Sequence, residues 1–223
     1  GGAGGTAPTG STGGTAGTGG GGGQAGGGGA PVVACDPPGI SDPFDGASLN
    51  SSVWGTWGSA VTLGVEGGVA YAAPPAAAGS NYGGIYSSQK FALQDCAVWI
   101  EVSQVLTAGV PGSAFFELWG SDNDEAEFHI WTGEIEMELT AGGSTSGTIT
   151  LTYDSSAHRW LRFREQAGTL YFETSPDADQ WTVRRSGPTP SFLSWVEMGF
   201  GAGTWDYAAS PGRAEFDNVN LLP

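Results

Sequence analysis

Positive charge is scarce in this chain. Seven basic residues face 23 acidic ones, Lys90 is the single lysine, and the formal net charge is −16. Such a surface repels phosphate backbones, which excludes nucleic acid and anionic membranes as natural partners. Long apolar runs are missing too, so no membrane-spanning segment is expected. Cysteine is limited to Cys35 and Cys96, with no Cys-x-x-Cys or Cys/His spacing to suggest zinc. Two buried free thiols or one disulfide remain open. The disulfide is preferred, because plentiful Asn, Thr, Ser, Gly and Trp beside scarce Lys and Met read as extracellular. Gly1 rather than methionine opens the chain, as after removal of a signal peptide or lipoprotein leader. The expected location is extracellular or at the cell surface.

Glycine is abundant but unevenly spread, with 17 of the 40 in the first 29 positions. Residues 1–34 read as a Gly/Thr-rich arm, and residues 35–223 as a folded domain long enough for a substantial core. The arm has a period. Thr6, Thr9, Thr12, Thr15 and Thr18 all take the third place of successive triplets. Three residues per turn is the repeat of polyproline II, which glycine also adopts. The threonines then form one stripe between glycine-rich edges that can exchange hydrogen bonds with neighbouring chains. Collagen is excluded, because Ala7, Ala16 and Ala25 interrupt one glycine frame and Pro8 and Ser11 the other. A flexible spacer is the competing reading.

From Cys35 onward, short runs alternate apolar and polar residues between Gly, Pro, Asn, Asp and Ser, the pattern of antiparallel strands. Residues 97–102, 113–119 and 148–153 are clear examples. Glu127–Trp131 and Glu134–Leu139 flank a Thr132-Gly133 turn, and Trp160–Arg164 and Leu170–Thr174 flank a loop containing Gly168. No 3.6-residue period is sustained, so helices should be short or absent. The fold class is all-β, an antiparallel jelly-roll β-sandwich preceded by the arm.

The run from His158 to Glu165, the hairpin Gly168 to Asp177 and Trp181-Thr182 form a "W-x-R-hydrophobic-R … S-x-D-x-x-x-W" pattern. Asp42-Pro43-Phe44-Asp45, with Leu49 and Trp54 downstream, and Ala214 to Val219 have the look of opening and closing strands. Over residues 40–222 the chain resembles the concanavalin A-like lectin/glucanase superfamily, in its laminin-G-like and related bacterial modules. The resemblance implies two curved antiparallel sheets with the last strand beside the first. It does not choose among lectin, glycosidase, adhesion and structural roles.

Within that resemblance, Gly133-Glu134-Ile135-Glu136-Met137-Glu138 is similar to the "G-E-I-D-x-x-E" or "E-x-D-x-E" strand of laminarinases and lichenases. Carried over, Glu134 is nucleophile, Glu136 helper and Glu138 acid/base, as retaining hydrolysis requires of paired carboxyls. Glu136 stands where that family has Asp, and a tight turn replaces the tryptophan-rich loop before the motif. An acidic solvated hairpin face explains the pattern as well: Trp131 should face Glu134, His129 Glu136, and Glu127 Glu138. Ligand contact is expected from Trp57, Trp131 and Trp205, which sit near turns, with His129 beside them. Trp99 and Trp181 are expected inside. A solvated acidic turn is the default reading of the loop holding Asp122 and Asp124, with structural calcium the alternative there or at Asp45 with Asp217. Arg159, Arg162, Arg164, Arg184 and Arg185 should pair with Glu165, Glu173 and Asp177. The function expected is an extracellular subunit that self-assembles with other copies through the arm, carrying a non-catalytic lectin-like sandwich. Alternatives are a tethered module binding glycans, and a degenerate β-glucanase.

Overall fold

The computed structural model of the protein describes residues 33–35 and 40–222, so the threonine stripe of the arm lies outside the described residues. Fifteen strands follow in chain order: β1 Trp54–Trp57, β2 Thr62–Glu66, β3 Val69–Ala73, β4 Asn81–Ser87, β5 Ala97–Gln104, β6 Gly112–Ser121, β7 Asp124–Trp131 and β8 Glu134–Ala141. Then come β9 Ser144–Thr145, β10 Ile149–Thr152, β11 Trp160–Gln166, β12 Thr169–Ser175, β13 Thr182–Pro188, β14 Glu197–Thr204 and β15 Ala214–Asp217. One 3-10 turn, Ser191–Ser194, is the single helical element among the described residues. None is long and apolar enough to cross a membrane.

The strands form two antiparallel sheets. One has the order β1-β4-β14-β6-β7-β8-β10, with β9 also on β8, and the other β13-β12-β11-β5-β15-β3-β2. Both expected hairpins form, with Trp131 opposite Glu134 and Gln166 opposite Thr169. Gly133 and Gly168 sit in their turns at φ +80° and +79°, where a side chain would be strained. The opening segment meets the closing one as expected, through a bridge between Asp42 and Val219.

The two-residue period of each strand decides the packing. Phe116, Phe128, Phe163 and Phe172 point between the sheets and are fully buried. Phe163 lies 4.9 Å from Phe116, 5.0 Å from Phe128 and 5.1 Å from Phe172, centroid to centroid, so four rings from both sheets make one block. A second group, Phe44, Trp54, Phe200 and Phe216, fills the space under β1, β14 and β15. Each buried Phe contributes roughly 1.5–3 kcal/mol from area removed from water.

The family-like motif around Trp160 builds the outer face of the seven-stranded sheet. Trp160 is buried there beside Trp99 and Ala178, while Leu161 and Phe163 join the main core. Arg162 stacks 3.9 Å from the Trp181 ring and donates to Glu173 at 2.7 Å; Arg164 binds the same carboxylate at 2.7 Å. Asp177 accepts the backbone N–H groups of Asp179 and Gln180 and thereby turns the chain so that Trp181 reaches Arg162. The expected pairing holds for Glu173 and is corrected elsewhere. Arg159 pairs with Glu101. Glu165 instead caps backbone N–H groups of Asp95 and Gly168. Arg184 donates to Thr174, and Arg185 to the carbonyls of Met137 and Ser146. Trp99 is inside as expected, and Trp181 is partly buried under the guanidinium.

Cys35 and Cys96 form the disulfide, with Cα atoms 4.9 Å apart. Ala34 makes a parallel bridge to Ala97, so strand pairing with the sandwich already begins beside the arm. The bridge closes a sequence separation of 61 residues. Replacing both cysteines by serine should therefore lower unfolding free energy by about 4 kcal/mol on the chain-entropy estimate. Urea denaturation of the variant beside the oxidised parent checks this.

Candidate functional site

The faces of β4, β14, β6, β7 and β8 that point away from the core form one continuous surface. On it, register places Tyr86, Gly199, Glu117, Glu127 and Glu138 in a row across five strands. Next to it runs a second row: Trp57, Gly84, Gly201, Phe115, His129 and Glu136. Gly199, Gly201 and Gly203 on β14 have no side chains because their neighbours lie over them. A β-carbon at these positions would collide with Glu117, Phe115 and Tyr82 respectively. The bare strand, walled by rings and carboxylates, opens into a groove of about 460 Å³ lined by Trp57, Tyr86, Glu117, Trp119, Asp122, Glu125 and Glu197. That size is within the range of small-molecule sites.

Electrostatics in the groove are governed by burial and by crowding of like charges. Carboxylate oxygens of Glu117, Glu125 and Glu127 lie within 4.8 Å of one another. Burial holds the Glu117 carboxyl well above the usual range, reinforced by the charges of Glu127, Glu125 and Glu197. Burial likewise raises Glu127, with Glu125, Glu138 and Glu136 adding to it. His129 contacts Glu127 through Nε2 at 2.7 Å, and its other ring nitrogen lies 3.4 Å from the Ser113 hydroxyl, itself 3.2 Å from Tyr82 Oη. Burial lowers the His129 pKa, against the pull of Glu125, Glu138 and Glu136. Ser113 is completely buried, so this chain of contacts orients the imidazole and offers no exposed nucleophile.

No sequence-family profile matches the chain, and no curated protein matches it in sequence. Solved structures do match. A β-1,3-glucanase from Mycobacterium marinum is similar at a TM-score of 0.58 and 12% identity, over 82% of this chain and 99% of that one. A β-glucanase from Bacillus licheniformis is similar at 0.54 and 14%, over 80% and 95%. The Crh5 transglycosylase in complex with NAG is similar at 0.58 and 12%, over 81% and 80%. The chain has the concanavalin A-like jelly-roll fold. Two sheets, closing strand beside opening segment, and a groove on one outer face are its architecture here.

On this jelly roll the residues expected to matter fall into two places. Trp57 lines the groove and is 42% exposed. Trp131 and Trp205 pack edge to face at 5.1 Å further along the same face, beside Pro111 and Thr132, and His129 stacks on Trp131 at 5.0 Å. Glu134, Glu136 and Glu138 face Trp131, His129 and Glu127 as expected, one strand further toward the sheet edge. Glu134 is exposed, and Glu136 accepts a hydrogen bond from Trp131 Nε1 at 3.1 Å. The groove itself is lined on β6 and β7 by Glu117, Trp119 and Glu125, with Glu127 next to the two glutamates, and none of the four was a site candidate in the sequence. A signal for two of them was present, since Glu125-x-Glu127-x-His129 repeats the alternating acidic pattern one strand earlier. Glu117 had none, because only sheet register brings β6 against β7.

The calcium candidates also separate. Asp124 caps its own loop, accepting Ser121 Oγ at 2.9 Å and the Gly142 N–H at 2.9 Å, while Asp122 faces the groove. Burial, with Glu101, Asp45 and Asp42 nearby, raises Asp217 to about 6. Both oxygens of Asp42 accept protein donors, from the Phe44 N–H and Trp54 Nε1. Asp217 also accepts the Asn218 N–H at 2.7 Å, and the nearby Glu101 is paired with Arg159. Without a cation, the native state holds the Asp217 proton more tightly than the unfolded chain does. That stabilisation is complete below the ordinary value of 3.8 and is lost as pH rises through about 6. In chelator, Asp217→Asn should flatten part of the fall in melting temperature between about pH 4 and pH 7, measured by scanning calorimetry.

Proposed function

We propose that the sandwich is a carbohydrate-binding module that holds a glycan in the groove on the outer face of its eight-stranded sheet. The observation that carries this reading is the groove itself: Trp57, Tyr86 and Trp119 stand beside the half-buried carboxylates of Glu117, Glu125 and Glu197. Aromatic faces receive the C–H faces of sugar rings, and carboxylates accept their hydroxyls. Binding rather than cleavage is favoured because the alternating acidic positions on β7 end in His129, an imidazole fixed between Ser113 and Glu127. Structural calcium held by Asp45 and Asp217 belongs to the same reading. The test is a glycan array with the whole chain, followed by calorimetry on hits. Trp57→Ala should weaken binding about tenfold or more while leaving the melting temperature within about 2 °C, since that ring is 42% exposed.

Cleavage is the second reading, favoured by the close approach of Glu117, Glu125 and Glu127. A retaining pair needs carboxyls about 5–5.5 Å apart. Reducing-sugar release from laminarin or lichenan that is lost in both Glu125→Gln and Glu127→Gln would replace the binding reading by a glycosidase one.

Assembly with other copies at an extracellular surface is proposed for the arm alone, on the strength of its three-residue threonine period. Removal of residues 1–29 should leave a folded domain that still binds glycan but no longer forms large particles. Light scattering and negative-stain microscopy of both chains check this, and equal monomers would reduce the arm to a spacer.

A further inference from the structure

Exposed rings on the outer face of the eight-stranded sheet fall in two places, and the groove accounts for one of them. Trp57 stands in the groove's lining. The other place is Trp205, 45% exposed, which packs edge to face on Trp131. Trp54, Trp99 and Trp160, by contrast, are buried. The surroundings of Trp205 are held by specific contacts. Trp131 Nε1 donates to Glu136 at 3.1 Å, and its ring stacks on His129. The Trp205 N–H donates to the Pro111 carbonyl at 2.9 Å, one residue beyond the last β14–β6 pair. The Thr132 hydroxyl accepts the Gly109 N–H at 3.1 Å. Between these segments lies a cleft of about 350 Å³ lined by Trp131, Trp205, Val110, Pro111 and Thr132. Exposed Glu134, opposite Trp131 in register, stands beside it as an acceptor for hydroxyls.

We propose that Trp205 and Trp131 form a second sugar platform, and that the domain takes a glycan chain running diagonally from Trp57 over Tyr82 to Trp205. This rests on the glycan-binding reading above and fixes the length and path of its ligand. Register carries the inference. Trp57 pairs with Gly84 and Gly84 with Gly201, so Trp57 shares the row of Gly201 two strands away. Trp205 lies four residues further along the chain of Gly201. At about 4.8 Å between strands and about 3.3 Å per residue, the Cα atoms of Trp57 and Trp205 are roughly 16 Å apart. A disaccharide falls short of that separation, and a hexasaccharide covers it. Tyr82 falls midway on the same diagonal, since it pairs with Gly203 on the strand between. Its ring lies over Gly203, and its hydroxyl is held 3.2 Å from Ser113 Oγ. Three partly exposed rings in line offer faces for the C–H faces of successive parts of one chain. Once one end is seated on Trp57, the other meets Trp205 at high effective concentration, so length adds affinity.

The experiment is titration calorimetry of the full chain with the disaccharides and hexasaccharides of β-1,3-glucose, β-1,4-glucose and β-1,4-N-acetylglucosamine. At least one hexasaccharide should bind one per chain, about tenfold or more tightly than its own disaccharide. Trp205→Ala should bring that hexasaccharide to within about threefold of the disaccharide and leave the disaccharide unchanged, with the melting temperature within about 2 °C. Trp205→Phe, which keeps a flat ring, should restore most of the loss. Trp57→Ala should weaken both lengths. In the unaltered chain, the Trp205 indole N–H resonance should shift with the hexasaccharide and stay in place with the disaccharide. A disaccharide that binds as tightly as its hexasaccharide overturns the second platform and leaves the groove reading standing. So does a stoichiometry of two, or a Trp205→Ala chain that keeps the hexasaccharide affinity. Binding of none of the six sugars overturns the glycan reading itself and the second platform with it.

Discussion

Four phenylalanine rings, Phe116, Phe128, Phe163 and Phe172, lock the two sheets face to face, and the groove depends on that block. Phe116 alternates with Phe115 and Glu117 along β6, and Phe128 with Glu127 and His129 along β7. Fixing the inward residues therefore fixes the outward ones, since a one-residue slip would exchange the faces. A row of like charges held at strand spacing survives only because this block is rigid and fully buried beneath it. The energy that tolerates Glu117 beside Glu127 comes from the opposite side of the same backbone.

The two outer faces solve the problem of buried charge in opposite ways. On the seven-stranded sheet, Glu173 is buried but shared by Arg162 and Arg164, and Trp181 closes over the guanidinium. Such a network is complete without a partner and reads as structure. On the eight-stranded sheet Glu117 and Glu127 have no arginine partner among the described residues, and burial beside like charges holds both carboxyls well above the usual range. Glu117, Glu125 and Glu127, crowded together beside the groove, are the kind of perturbed cluster that gathers at functional sites. The Trp160-Arg162-Arg164 motif belongs to the first face, which is why it spoke for fold and said nothing of ligand.

The glycine stripe on β14 adds the space. Gly199, Gly201 and Gly203 would weaken an ordinary strand, which loses packing and conformational restraint at each glycine. Here β14 lies between β4 and β6 at the middle of its sheet, held on both edges. It gives up side chains so that Tyr82, Phe115 and Glu117 can lie across it. Trp57 and Trp205 stand at separate points of the same face: Trp57 packs on Phe115, and Trp205 on Trp131, which stacks on His129.

The sequence by itself determined the strands, both hairpins and the jelly-roll class, while it only favoured the disulfide and left the pairing of the chain ends to a family resemblance. These follow from two-residue alternation, turn glycines and local motifs, all written in neighbouring positions. It also determined which residues of β7 and β8 face one another, because a two-residue turn fixes register. It did not locate the groove. Glu117 joins Glu125 and Glu127 only when β6 pairs with β7, and Trp57 and Tyr86 arrive from β1 and β4 only when β14 inserts between β4 and β6. Nor did composition reveal which carboxylates are paired: a net −16 is the same number whichever glutamates the six arginines reach. Tertiary structure decided both, because long-range strand order assigns each alternating residue its neighbours, and only neighbours determine whether a carboxylate is paired.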